Sequence, residues 1–255
     1  AAGIYGALWP REFGGTPPEG SEGDWHGSWR AIKVDPFFDF IMWDELARCG
    51  VGGLLASLFG GVGIALPPVL MFGSDYLREK VARDCITGRK SMCLCVTEPG
   101  GGSDVAAVRT TAVRDGDFWV VNGAKKWITG GMKADFFTVL CRTGGSGHGG
   151  ASMLVLERGM PGIVTRRMKT QGWWASNTTY IEFDNVRVPV ANRIGEEGQG
   201  FKYTMINFNH ERFVLTVQMA RFARICLEEA VAFARRRRTF GQRLIDHQVI
   251  RHKIA

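Results

Sequence analysis

The densest group of residues able to hold a ligand is the run Thr97-Glu98-Pro99-Gly100-Gly101-Gly102-Ser103-Asp104. It closes a strand-like stretch, and its glycines let backbone N–H groups approach a ligand without side chains in the way. It is neither a Walker A loop nor a GxGxxG turn, and no helix is expected directly after it. The residues alone therefore leave open both a ligand loop and a plain surface loop. Gly61-Val62-Gly63 sits in a helical segment with no strand before it and fails as a dinucleotide fingerprint. The run Arg235 to Arg238 reads by its residues alone as a solvated helix end whose cations suit the dipole. Cys93 and Cys95, two apart in a strand-like run, share one face, and packed core thiols are expected there rather than a metal or redox pair. The five histidines lack partner ligands at metal spacing, so no metal is expected.

These residues must be positioned by ordinary elements. A chain of 255 residues with 45% hydrophobic content can bury a full core and is long enough for more than one packed unit. It begins Ala1-Ala2-Gly3 and stops at Ala255 inside an expected helix, so both ends are expected to be cuts. No window holds the uninterrupted apolar run of a bilayer span and no leader opens the chain, which predicts a soluble protein with no membrane partner. The six cysteines show no disulfide framework, which predicts a reduced, intracellular chain. The net charge of +7 fits either a polyanion or phosphorylated ligands.

From Asp35 to about Gly88 the signals are helical. Asp35 precedes Pro36 as an N-cap, Phe37 to Cys49 is periodic before Gly50, a Gly-rich apolar helix runs to a Pro67-Pro68 break, and Ser74 caps a helix ending near Thr87. After Ser91, short Val/Thr/Trp/Phe/Ile runs predict strands near 92–97, 107–114, 117–121, 124–129, 135–142, 151–157, 162–170 and 178–184 in an antiparallel structure. Asp115-Gly116 and Asn122-Gly123 are expected at tight hairpin turns, and Gly144 to Gly150 in a flexible loop. Beyond Gly200 a helical stripe of Met219, Phe222, Ala223, Cys226, Ala230 and Ala234 continues to about Arg236, with a break at Gly241. The fold class is a multi-domain α+β chain: a helical domain over 1–90, a middle antiparallel β domain over 91–190, and the start of a helical bundle over 191–255.

Three ordered motifs carry a resemblance. Cys95-Val96-Thr97-Glu98-Pro99-Gly-Gly-Gly-Ser103-Asp104-Val105, then Val121-Asn122-Gly123-Ala-Lys-Lys-Trp127-Ile128-Thr129, then Arg237-Arg238-Thr239-Phe240-Gly241 with His247-Gln248 behind it, are similar to the acyl-CoA dehydrogenase family. The resemblance runs over essentially the whole chain, and its implied order of helical domain, β domain and four-helix bundle agrees with the order read from periodicity. It implies FAD, with Leu94, Val96, Thr97, Gly102, Ser103, Trp127 and Thr129 lining the flavin. It also implies that Arg237, Thr239, His247 and Gln248 contact the adenine dinucleotide part of FAD, commonly that of a neighbouring subunit, in a dimer or tetramer. Arg235 and Arg236 stay surface residues.

For catalysis the resemblance points to Glu211 in Phe208-Asn209-His210-Glu211-Arg212-Phe213. Most of the family carries its base far downstream, but a subgroup acting on branched or long acyl chains carries it directly before this arginine. A glutamate in an apolar cavity would resist ionisation and serve as the base that removes the proton α to the thioester carbonyl. The plain alternative is a surface glutamate paired with an arginine. Ser103, Asn209 and Arg212 align with positions that touch acyl-CoA. Gly101 stands where alanine is usual, and residues 20–34 match nothing in the family pattern.

The implied activity is α,β-dehydrogenation of an acyl-CoA, an oxidoreduction of a CH–CH group as in fatty acid β-oxidation. Electrons would pass to electron-transfer flavoprotein or a similar acceptor, in a bacterial cytoplasm, a mitochondrial matrix or a peroxisome. An oxygen-using relative of the acyl-CoA oxidase or nitroalkane oxidase type is the close alternative. A DNA-associating flavoprotein of the same superfamily is the distant one: the sequence pI is near 9.3, but the arginines are assigned to the cofactor and no basic patch is interleaved with aromatics.

Overall fold

The computed structural model describes residues 6–17, 19 and 36–255, so the expected cap Asp35 and the unmatched segment 20–34 lie outside the described residues. The element order is helices, then strands, then a long helix, as expected. Two compact units result, one of Ala1–Asp35 with Gly52–Glu211 and one of Pro36–Val51 with Arg212–Ala255.

The first unit is built on strands β1 (Met92–Cys95), β2 (Thr111–Asp115), β3 (Phe118–Ile128), β4 (Phe136–Arg142), β5 (Ala151–Glu157), β6 (Ile163–Arg167), β7 (Thr179–Pro189) and β8 (Arg193–Ile194). They follow the order β6-β7-β3-β2-β4-β5-β8, with β1 pairing β4. The sheet is mixed rather than wholly antiparallel: β1 lies parallel to β4, and β2 meets β4 in parallel through Thr111 and Arg142. Central strands are covered on both sides, which explains their almost unbroken apolar sequences. Phe136, Leu140, Met153 and Val155 join one core cluster with Leu66, Val69, Leu77 and Val81, while Phe137, Val139, Leu154 and Leu156 join a second with Trp119, Ile181 and Phe183.

Asp115-Gly116 turns the β2–β3 hairpin as expected, with Gly116 at φ 57°. Asn122-Gly123 does not turn. β3 runs straight through it, and the irregularity is a bulge between Val121 and Gly123 against β7. Gly123 takes φ 144°, and a Cβ there would meet Thr110 Cα at 2.7 Å, so glycine serves a close strand crossing instead of a hairpin.

Of the helices, α1 (Pro36–Ala47) belongs to the second unit, and α2 (Gly52–Phe59), α3 (Pro67–Phe72) and α4 (Asp75–Ile86) to the first. The Ser74 hydroxyl accepts from Leu77 N at 3.3 Å, capping α4 as expected. The expected break at Pro67-Pro68 is not a break in the run. A π-helical turn, Gly60–Ala65, joins α2 to α3, and the prolines occupy the first helical positions of α3. Within the helical run Gly52–Phe72 an 18-residue window has a mean hydropathy of 1.9, long and apolar enough to cross a membrane, which corrects the reading that no such window exists. In this fold 61% of that window is buried, much of it in the core beside the sheet.

Proline also explains how the π turn is held. Pro68 has no N–H to give the carbonyl of Ile64, so Asn207 supplies one, its Nδ2 donating to Ile64 O at 2.9 Å. The Thr138 hydroxyl similarly donates to Ala65 O at 2.9 Å. Asn207 belongs to α5 (Gly200–Arg236), whose first turns, through Glu211, count with the sheet unit.

In the second unit the expected apolar stripe of α5 is mostly open. Ala234 is buried, but Met219 is 48% exposed and Ala223, Cys226 and Ala230 are exposed as well. There Arg221 bonds Asp44 and, at 3.1 Å, Glu45 of α1. Short strands β9 (Arg238–Thr239) and β10 (Gln242–Arg243) and helix α6 (Gln248–Ile254) follow.

Removing the side chain that replaces the missing proline donor should be costly. Asn207→Ala leaves the Ile64 carbonyl without its donor and is expected to lower unfolding free energy by about 1–3 kcal/mol. Urea unfolding monitored by circular dichroism checks this, and an unchanged midpoint would refute it.

Candidate functional site

The glycine-rich loop after β1 is fastened through a charged residue inside it. Glu98 N and O exchange hydrogen bonds with Gly101 O and N, at 2.9 and 3.2 Å, closing a tight turn. The Glu98 carboxylate turns inward: Oε1 accepts from Thr110 N at 2.9 Å and Oε2 from Arg109 N at 2.7 Å. Its third partner is Lys125 on β3, whose Nζ donates to Glu98 Oε1 at 2.9 Å and to Val96 O at 3.0 Å. Lys126 N adds a backbone bond to Thr97 O at 2.9 Å.

Lys125 is wholly buried, with a relative exposure of 0%. Burial is the largest influence on its ammonium and pulls its pKa below the usual lysine value, against the attraction of Glu98. Burial also works against the Glu98 carboxylate, yet the Lys125 charge and the Lys125 and Thr110 hydrogen bonds outweigh it and hold that pKa below the usual range. The asymmetry has a plain source: the carboxylate collects two backbone donors besides the ammonium.

On either side of this pair in sequence lie the walls of a cleft of about 150 Å³. Leu94, Val96 and Thr97 come from β1 and the loop, Trp127 and Ile128 from the end of β3 with Thr129 just beyond it, Gly60 and Ile64 from the π turn, and Phe208 and Glu211 from α5. Trp127 takes φ 64°, uncommon for a bulky residue, and stands 54% exposed. A Cβ on Gly60 would meet Thr129 Cγ2 at 2.9 Å, so a glycine is what lets the π turn approach this wall.

Thus Leu94, Val96, Thr97, Trp127, Thr129 and Glu211, chosen from sequence, line one cleft. Gly102 and Ser103 lie in the exposed part of the loop and do not line it, although a Cβ on Gly102 would sit 3.6 Å from Thr97 Cγ2. Asn209 and Arg212 are exposed on α5. Arg237, Thr239, His247 and Gln248 belong to the second unit, where Thr239 Oγ1 and His247 Nε2 are 3.2 Å apart and Gln242 Nε2 lies 3.2 Å from His247 Nδ1. Arg237 is exposed, its main chain bonded to Phe233 and Leu244. Sequence reasoning missed Gly60, Ile64, Ile128, Phe208, Glu98 and Lys125. The last two stood inside the quoted motifs, and a lysine amid strand residues was the signal available. Cys93 and Cys95 are buried with sulfurs 3.7 Å apart, and burial, followed by the Cys95 contact, pushes the Cys93 thiol well up, as suits packed core thiols.

Residues 93–186 match the family model of the acyl-CoA dehydrogenase middle domain, and residues 198–255 that of the acyl-CoA dehydrogenase C-terminal domain. The chain is 46% identical over 215 residues to the acyl-CoA dehydrogenase apdG of Emericella nidulans, covering 83% of this chain and 49% of that one. It is 38% identical over 185 residues to the mitochondrial isobutyryl-CoA dehydrogenase of Bos taurus, covering 72% and 44% respectively. The crystal structure of a probable acyl-CoA dehydrogenase from Mycobacterium abscessus superposes with a TM-score of 0.86 at 40% identity, covering 99% of this chain and 63% of that one. The chain thus spans about half the length of these curated relatives.

The lowered Glu98 pKa sets the sign of an acid effect. Its stabilisation is complete above the ordinary glutamate value of about 4.3 and is lost as pH falls through the lower folded value. Glu98→Gln is expected to be less stable at pH 7 yet to lose stability less steeply below about pH 4.3. Chemical-denaturation midpoints from pH 7 to 3 decide, and parallel curves for the two proteins would refute it.

Proposed function

The chain belongs to the acyl-CoA dehydrogenase family, and from that premise we propose that it forms the cofactor-facing part of an FAD-dependent acyl-CoA dehydrogenase that passes electrons to a separate acceptor. The observation that carries the reading is that Glu211, Thr97, Trp127 and Thr129 share one cleft. The residues suit a flavin: two hydroxyls for its polar edge, an indole face held open by an unusual backbone, and a wall that a Cβ at Gly60 would crowd. Bound there, FAD would supply a hydride acceptor for the β carbon of the acyl group.

The chain's own residues supply the rest. Glu211 removes the proton from the α carbon, so that loss of proton and hydride leaves the α,β double bond. Phe208, Ile64 and Leu94, apolar and half-buried in the lining of the same cleft, restrict water around that carboxylate. Ser103, Asn209 and Arg212 are proposed to hold the acyl-CoA, and Arg237, Thr239, His247 and Gln248 to hold the adenine dinucleotide part of FAD from a neighbouring subunit. Arg237 suits that task because a guanidinium offers forked donors to phosphate. The segments 1–90, 91–190 and 191–255 are proposed as the functional divisions.

Glu211→Gln keeps size while removing proton acceptance. In the intact protein it should retain FAD and slow flavin reduction by acyl-CoA about a hundred- to ten-thousand-fold. Rapid mixing at saturating substrate measures this, and reduction at the wild-type rate would place the base elsewhere. The intact protein should also purify yellow, whereas residues 1–255 alone should bind FAD weakly, because the second-unit contacts are assigned to a partner's cofactor. Absorbance of the purified proteins checks both, and tight stoichiometric flavin on a monomer of 1–255 would refute the cross-subunit assignment.

A further inference from the structure

Burying a lysine and a glutamate together is a poor way to gain stability, because desolvation offsets most of their attraction and apolar pairs of similar volume often serve as well. The pair Glu98–Lys125 must therefore be explained by what it places. Val96 and Thr97, which line the cleft, immediately precede Glu98, and Trp127, Ile128 and Thr129, which line its other side, closely follow Lys125. Lys125 Nζ spans these two stretches by bonding both Val96 O and Glu98 Oε1, and the adjacent Lys126 N bonds Thr97 O. Trp127, two residues beyond the lysine, holds the left-handed backbone that keeps its ring at the cleft, and such a conformation persists only where surrounding bonds over-determine it.

We propose that Glu98 and Lys125 are positioning residues for the flavin, setting the gap between Thr97 and Trp127 through a bridge from the glycine-rich loop to β3. This rests on the FAD reading above. Direction matters as well as charge: Arg109 N and Thr110 N both donate to the carboxylate, so an acceptor is required at position 98. An ammonium there would face two N–H groups. The pair acts through Thr97 and Trp127 and does not itself line the cleft.

The test compares wild type, Glu98→Gln, Lys125→Met and the double Glu98→Gln/Lys125→Met variant in the intact protein. The readouts are thermal midpoint, FAD dissociation constant on reconstitution of the apoprotein, and visible circular dichroism of the bound flavin. Each single variant is expected to lose both stability and FAD affinity, because each strands a buried partner. The double variant, with no stranded charge, should recover part of the thermal midpoint lost by the single variants yet bind FAD roughly tenfold or more weakly with altered flavin dichroism, the scale on which outer supporting groups act. Wild-type affinity and dichroism in a stable double variant would show the pair to be merely structural and overturn the proposal. Should the double variant not fold, Glu98→Asp keeps the charge and shortens its reach by a methylene. Weakened FAD binding with altered dichroism would support positioning, and wild-type values for both would overturn it. Failure of the wild-type protein itself to take up FAD would sink the flavin reading, an outcome distinct from flavin bound equally well by wild type and double variant.

Discussion

The Glu98–Lys125 ion pair is the constraint on which the rest of the cleft depends. It forms where two chain segments must run close together without a continuous strand ladder between them, the glycine loop after β1 and the distal half of β3. A loop of three consecutive glycines has little of its own to define it and would lose much conformational entropy on ordering. A buried carboxylate reaching back to Arg109 N, Thr110 N and Lys125 Nζ supplies that definition at a single point. The cost is a desolvated lysine whose charge is tolerated only because Val96 O and Glu98 Oε1 both accept from it.

The opposite wall is defined by missing groups. Pro68 lacks the N–H that a continuing helix would offer Ile64 O, and glycines at 60, 61 and 63 remove side chains from the same turn. The backbone there adopts a π turn, and side chains of Asn207 and Thr138 take the carbonyls left over. Two consequences meet at Gly60, where absence of a Cβ allows the turn to sit against Thr129. Both walls are thus set by backbone geometry that neighbouring polar side chains enforce, which suits a cleft for a flat, rigid ligand.

The second unit follows different rules. Its α1 and α5 are tied by charge, with Arg221 held by Asp44 and Glu45, and its tail folds β9, β10 and α6 around hydrogen bonds that the His247 ring shares with Thr239 and Gln242. Much of α5 remains open, with Leu215, Met219, Leu227 and Phe233 exposed.

By itself the sequence determined what local chemistry encodes. The order of helices and strands follows from a period that changes from 3.6 to 2 and back, the Ser74 cap and the Asp115-Gly116 turn follow from single residues, and two of the three spaced motifs marked Val96, Thr97, Trp127, Ile128 and Thr129 of the cleft. What local chemistry could not encode, tertiary structure decided. Asn122-Gly123 has the composition of a hairpin turn, but pairing with β7 on both sides carries β3 straight through and converts it to a bulge. Gly52–Phe72 has the length and hydropathy of a membrane span, but much of it is buried against the sheet. Asn207 and Ile64 are 143 residues apart and Lys125 and Glu98 are 27 apart, so neither partnership leaves a periodic trace. Residue type announces a donor, an acceptor or a charge; which group it meets is settled when packing brings distant segments together and leaves a buried polar atom to be satisfied.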